Sequence, residues 1–111
     1  MKTSADDVLW AAIAEPSRRR VLDLLVRRGP ATASALAAEV PFTRQAVIKH
    51  LAVLEQTKLV TRRREGREVL FRVDARRLDE ATRVVARVAH DWERRLVDIK
   101  HLAEAAFDRE E

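Results

Sequence analysis

Two adjoining stretches decide the fold: TRQAVIKHLAVL over residues 43–54 and LVTRRREGREVLFRV over residues 59–73. Thr43 has the side chain of a helix N-cap and can accept from the N–H of the residue three places on. Behind it, apolar residues recur every three or four positions, which predicts a helix with one buried face at Val47, Leu51 and Leu54. In the second stretch, apolar residues alternate over 69–73 and Gly66 supplies the positive φ of a tight turn, which predicts a β-hairpin.

Three shorter helices are predicted upstream of residue 43. Pro16 ends the first, because a proline disfavours helix in the residue before it, and it suits the first turn of the second. Gly29 and Pro30 close the second helix. Thr32 is the predicted cap of the third, which Pro41 ends.

Downstream of the hairpin, a last helix is predicted over residues 76–107, with apolar residues at three- and four-residue steps. At 1.5 Å per residue this helix runs about 45 Å, longer than the body of a domain of this size. Part of its apolar stripe then has no partner within one chain, and two-fold pairing is the commonest solution. The predicted dimer contacts are Leu9, Val85, Val88, Trp92, Leu96 and Ile99.

Four helices, a hairpin and a long last helix give a mainly α (α+β) fold, a winged helix-turn-helix with the order α-α-α-α-β-β-α. We expect one domain over residues 1–111, since a chain this short has no room for a second core. Within it, we assign the helix-turn-helix to residues 33–57, the wing to 59–73 and the dimerisation helix to 76–107.

The composition narrows the range of possible functions. The net charge is +4, and arginines concentrate at residues 18–20, 27–28 and 62–67. The absence of cysteine excludes thiolate metal sites and cysteine nucleophiles. We find no Ser/His/Asp arrangement, phosphate loop or paired carboxylates, so we do not expect an enzyme. No apolar run has the length of a membrane span, and no signal peptide precedes residue 8, which favours a cytoplasmic protein without membrane contact.

A helix with polar residues at its start, followed by a basic hairpin, is typical of proteins that bind double-stranded DNA. Arg44 can present a bidentate fork to guanine and Gln45 can do the same for adenine. Taken singly, these side chains are equally compatible with a solvated surface. Ile48 can contact a thymine methyl group or pack at the edge of the core, and His50 can pack or touch phosphate. The predicted DNA contacts are Thr43, Arg44, Gln45, Ile48, Lys49, His50, Arg62, Arg63, Arg64 and Arg67.

Three segments together resemble the ArsR family of regulators: AEPSRRRVL over residues 14–22, the stretch at 43–54, and RREGR with FRV between 63 and 73. The resemblance covers roughly residues 8–78. It implies a homodimer joined through the terminal helices, binding to a palindromic operator, and usually repression that an effector relieves. The resemblance thus implies an effector, for which an unknown small molecule is the expectation. Trp92 with Arg95 and Leu96 resembles a metal-independent subset of the family.

The sequence departs from the family pattern at two places. Lys58 stands where most relatives carry glycine, and a left-handed conformation there costs about 1 kcal/mol or more. His90, His101 and Glu104 have the spacing of one metal pattern of the family, but Val88 replaces its first acid. Three ligands without that acid make a poor zinc site, so we expect no metal and no cofactor.

A rival function comes from another class. The same fold can serve as a protein-interaction module in which the arginines only keep the surface soluble, because fold alone does not fix function. The two readings differ in one property: a DNA-binding protein binds duplex DNA with steep salt dependence, and an interaction module does not.

Overall fold

The computed structural model describes residues 4–110 and has the predicted order of elements. The two strands form one antiparallel sheet, so the mainly α winged helix-turn-helix fold is confirmed. The elements are α1 (Ala5–Ala14), α2 (Pro16–Arg28), α3 (Ala33–Ala37), α4 (Arg44–Gln56), β1 (Val60–Glu65), β2 (Glu68–Val73) and α5 (Ala75–Glu110).

The helix starts are fixed by side-chain caps. The hydroxyl of Thr43 accepts from the N–H of Ala46 at 3.1 Å, as predicted, and Thr32 caps α3 in the same way. Pro16 is the first residue of α2, also as predicted. The cap of α2 is Glu15, whose carboxylate accepts from two backbone N–H groups at the start of the helix. These caps satisfy donors that have no partner inside the helix.

The core lies between α2, α3, α4 and the base of the hairpin, and α1 and the start of α5 close it. The predicted inward face of α4 is buried, at Val47, Leu51 and Leu54. On β2, Phe71 is buried and its backbone pairs with Ala31. That bridge ties the hairpin to the segment between α2 and α3, so the wing has a fixed base.

Among the non-glycine residues that the structure describes, Lys58 alone has a positive φ, which is 68°. Around it, the N–H of Leu59 donates to Leu54 and the N–H of Lys58 donates to Glu55, the double hydrogen bond of a Schellman motif. Leu59 is fully buried. These two bonds and the burial of Leu59 offset the cost of the left-handed residue, which explains how the chain does without the usual glycine.

α5 runs through Glu110, beyond the predicted end at residue 107, and the molecule is 71 Å long for a width of 28 Å. Only the first part of α5 is packed, with Ala81 and Val84 in the core. None of the helices between residues 4 and 110 is apolar and long enough to cross a membrane.

The prediction that Leu9 contacts a second chain is wrong. Leu9 is 1% exposed and belongs to the core of its own chain. The apolar pattern of α1 did not show which of its two apolar sides turns inward. Val8, the neighbouring residue, is half exposed instead.

Candidate DNA interface

The polar side of α4 faces outward. Thr43, Arg44, Gln45 and Lys49 are all exposed. Gln45 and Lys49 lie on the side of the helix opposite the buried leucines, whereas Thr43 and Arg44 are exposed because they stand at its N-terminus. Nε of Arg44 donates to Oγ of Ser34 at 2.9 Å, across the turn from α3. Because Arg44 is the first residue of α4, this hydrogen bond holds its guanidinium beside the N-terminus of the helix.

The wing is a regular hairpin whose tip carries most of the charge. Glu65 pairs with Glu68 next to the turn, where Gly66 has a φ of 60°, as predicted. Arg63 pairs with Glu65 at 2.5 Å, and Nε of Arg64 donates to the carbonyl of Gly66 at 3.3 Å. Both contacts stay within the hairpin, so Arg63 and Arg64 keep their exposed positions at its tip.

A groove of about 390 Å³ separates the start of α4 from the wing. Arg44 and Ile48 lie on its helix side, and Arg67 and Glu68 lie on its wing side. Ile48 is 40% exposed and lines this groove, so it does not serve only as packing at the edge of the core. The groove is concave, lies next to a helix N-terminus and carries more positive than negative side chains, which suits a polyanion such as DNA.

Arg62 differs from the other arginines of the wing. Its guanidinium donates to both carboxylate oxygens of Glu55, at 2.8 and 2.6 Å, and lies 5.3 Å from the centroid of Phe71. The hydrogen bonds that Arg62 donates to Glu55 raise the pKa of Arg62. The sequence predicted a DNA contact here; the structure places Arg62 against Glu55 of α4, with its side chain 57% exposed and lining the same groove.

The side chain of His50 is packed against neighbouring residues rather than exposed to solvent. Its side chain is 18% exposed, meets Phe42 edge to face at 5.9 Å and has Nδ1 3.9 Å from the carboxylate of Glu15. The backbone N–H of Arg18, with smaller contributions that include His50, holds the pKa of Glu15 below its ordinary value. Of the two roles left open for His50, the structure supports packing.

Sequence reasoning missed the residues that hold these side chains in place. Ser34 and Glu55 each bind an arginine on another element, at sequence separations of 10 and 7. Pairs of residues on different elements leave no local pattern in the sequence by which they could be predicted. Glu15 had a signal, because a carboxylate directly before Pro16 and the start of a helix is a good N-cap.

Comparison with known proteins agrees with this geometry. A family described as a helix-turn-helix domain matches residues 13–63. The chain is similar to the HTH-type transcriptional regulator Rv2034 of Mycobacterium tuberculosis, with 35% identity over 68 residues, 61% of this chain and 63% of that protein. The match thus spans just under two thirds of Rv2034. An ArsR-like transcriptional regulator from Rhodococcus sp. RHA1 is 34% identical, with a TM-score of 0.67 over 89% of this chain and 92% of that one.

The chain belongs to the ArsR family of winged helix-turn-helix transcriptional regulators. Its relatives are regulators and not enzymes. The homodimeric winged helix-turn-helix domain of Mb0332 from Mycobacterium bovis also has this fold, with 26% identity and a TM-score of 0.61 over 76% of this chain and 77% of that one.

In this ArsR-family chain the predicted dimer residues of α5 fall into two groups. Val85 and Val88 are half-buried, and Val88 packs against the core. Trp92 is 47% exposed, Leu96 57% and Ile99 54%. These last three are large apolar side chains that stay about half exposed within the described residues, and the guanidinium of Arg95 lies 5.3 Å from the centroid of Trp92.

The histidines of α5 stay outside the apolar stripe. His90 and His101 are exposed. Between residues 4 and 110, no three His, Cys, Asp or Glu side chains come close enough together to hold a metal ion. The metal pattern that the sequence half matched is therefore not assembled within one chain.

Proposed function

We propose that this protein binds DNA in a sequence-specific way as a homodimer, and represses transcription from a palindromic operator. The observation that carries the proposal is the groove between α4 and the wing, with arginines on both sides and the exposed polar face of α4 beside it. The major groove of DNA admits one α-helix and displays a distinct pattern of donors and acceptors for each base pair.

Each side of the groove has its own role in this proposal. Arg44 and Gln45, at the start of α4, read base edges, and Ile48 contacts a thymine methyl group. Thr43 and Lys49 contact phosphate beside them. The arginines at the tip of the wing, Arg63, Arg64 and Arg67, hold the neighbouring backbone, which carries no sequence information.

The second copy packs on α5, through Trp92, Leu96 and Ile99. Their exposure supports this, because a soluble chain rarely leaves a row of large apolar side chains in water. A two-fold dimer presents two recognition helices, and these contact half-sites one helical turn apart, about 34–36 Å, or a multiple of it.

Repression and relief by a small-molecule effector are carried over from the family resemblance, and action in the cytoplasm is the expectation drawn from the sequence. A protein seated on an operator excludes other proteins from that stretch of DNA, which is the simplest way for a single binding domain to act. We propose no metal for the effector, since the chain lacks cysteine and Val88 stands in the place of an acid.

A titration of random-sequence duplex DNA at two salt concentrations tests the proposal against the protein-interaction module. The regulator is expected to bind at low salt and to weaken steeply as salt rises, because phosphate contacts release counterions. Failure to bind at low salt would favour the interaction module.

A pair of charge-matched double variants locates the contact. Arg64→Gln with Arg67→Gln is expected to flatten the plot of log affinity against log salt by about one unit per lost contact and per subunit. Arg83→Gln with Arg94→Gln removes the same charge from the exposed side of α5 away from the stripe and is expected to leave that slope unchanged. Equal effects of the two double variants would mean that net charge, and not this groove, binds the DNA.

A further inference from the structure

Arg62 makes a contact between elements that its neighbours on the wing do not make. Arg63 and Arg64 bind within the hairpin, whereas Arg62 reaches α4 and donates to both oxygens of Glu55. Glu55 lies in the last turn of α4, and its side chain is 22% exposed. Arginine–carboxylate pairs with two parallel hydrogen bonds are the geometry in which a partly exposed ion pair gains most.

The position of this contact along the wing is what gives it a role. The base of the hairpin is held by Val60 and by Phe71, both buried. Arg62 lies opposite Phe71 in the register, and beyond that pair no side chain of the hairpin is fully buried, although the half-buried Val69 still packs against the core. A two-stranded hairpin is marginally stable by itself, so the contacts that Arg62 and Val69 make with the body decide how firmly the tip is held.

We infer that Glu55 and Arg62 form a positioning pair, which fixes the angle of the wing to the recognition helix, and that Arg62 does not itself bind phosphate. The inference rests on the proposed DNA binding, because it assigns roles within that interface. Nε and Nη2 of Arg62 already donate to Glu55, so the bidentate fork through these two nitrogens is taken up by the pair and a phosphate would have to displace Glu55 to use it.

The consequence for binding is preorganisation. The base-reading residues on α4 and the phosphate-binding arginines at the wing tip contact the same DNA from two sides of one groove. If the wing moves relative to α4, that freedom is lost on binding, and the affinity falls by the entropy of ordering it. The number of phosphate contacts in the complex stays the same.

The salt dependence of DNA binding separates the two roles of an arginine. Arg62→Gln is expected to weaken binding by about three- to tenfold and to leave the salt slope unchanged, since no phosphate contact is lost. Arg64→Gln, two residues along the same strand, is expected to lower the slope by about 0.9 per subunit. A slope that falls equally in both variants would overturn the inference.

A variant at Glu55 is expected to change DNA affinity in opposite directions, depending on whether the pair positions the wing or merely keeps Arg62 from the DNA. If the pair positions the wing, Glu55→Gln weakens binding. If Glu55 only withholds Arg62 from the DNA, Glu55→Gln strengthens binding and steepens the salt slope, which would overturn the inference. Asp23→Asn removes one negative charge at a pair on α2 and controls for net charge. The exchanged pair, Glu55→Arg with Arg62→Glu, is expected to recover at least part of the lost affinity.

Hydrogen exchange in the free protein tests the pair without DNA. Glu55→Gln and Arg62→Gln are expected to speed the exchange of backbone amides in residues 62–70, and Asp23→Asn is not. If the two variants exchanged faster but wild-type protein failed to bind DNA, the proposed function would be contradicted, while the link between wing and helix would be supported. Unchanged amide exchange in both variants would contradict the inference itself.

Discussion

The two halves of α5 carry the same apolar stripe in different surroundings. In the first half, Ala81 and Val84 are buried in the core, and Val88 packs against it. In the second half, Leu96 and Ile99 continue the stripe at helical spacing but stay more than half exposed. The body of the domain is complete without them. The second half therefore has an apolar face that nothing in the described part of its own chain uses.

This difference separates residues needed to fold from residues needed to assemble. Burial of a large aliphatic side chain contributes about 1.5–3 kcal/mol, so an uncovered stripe is a substantial reserve of binding energy. Core residues of the body are expected to act on the folding of each chain. Stripe residues beyond Val88 are expected to act on association, and their effects therefore depend on protein concentration.

The largest effect is expected in the body. Leu54→Ala removes a fully buried side chain and is expected to cost about 2–5 kcal/mol in the free energy of unfolding. The matched change on the distal helix, Leu102→Ala, alters a residue that is 70% exposed. Urea denaturation at two protein concentrations is expected to show a smaller loss for Leu102→Ala, and any loss should fade on dilution. Equal, concentration-independent losses would erase the distinction between the two regions.

A charge placed in the stripe is expected to separate the chains. Leu96→Glu buries a carboxylate in the proposed interface and is expected to weaken dimerisation about 30-fold or more. Val97→Glu is the control: Val97 is 52% exposed, nearly as much as Leu96, but lies about 140° around the helix from Trp92. Sedimentation at micromolar concentration should find monomers for Leu96→Glu and dimers for Val97→Glu. A wild-type monomer would refute the interface.

A smaller effect on the free energy of unfolding is expected at Lys58, between the recognition helix and the wing. Lys58→Gly relieves the left-handed conformation but adds freedom to the unfolded chain, so we expect a net gain of about 0.5–1 kcal/mol. Lys58→Ala keeps the strain and is expected to give no gain. Thermal melts of the three proteins measure this, and a gain from alanine as large as that from glycine would show that the left-handed residue costs nothing.

The smallest effect is expected at Glu15. Its pKa is lowered in the folded protein, so its contribution to stability is present above the pKa of the unfolded chain and is lost as the pH falls through the folded value. Glu15→Gln is expected to lower the urea midpoint at pH 7 and to lose this deficit progressively as the pH falls below the ordinary glutamate pKa of about 4.3. Glu93→Gln, at an exposed position on α5, should show no such convergence; a pH-independent deficit in Glu15→Gln would contradict the capping role.

Much of the fold was predictable because local signals decide it. Caps at Thr32 and Thr43, the prolines and Gly66 marked the boundaries, and the spacing of apolar residues marked the buried sides. The outward position of Ile48 followed from the same spacing, and that of Arg44 from its place at the capped start of α4. What escaped prediction depends on tertiary contacts. Leu9 turned inward because α1 packs against the body, and Arg62 is held by a glutamate seven residues away.

Selection from a library of randomised duplex DNA tests the central claim most directly. Wild-type protein is predicted to enrich one sequence arranged as two inverted half-sites, about 10 base pairs apart or a multiple of that distance. Arg44→Ala, selected in parallel, is predicted to lose preference at one base pair of each half-site, since a good bidentate contact discriminates by about 1–3 kcal/mol. Recovery of DNA with no shared sequence, or of one sequence that Arg44→Ala and Gln45→Ala leave unchanged, would contradict the account.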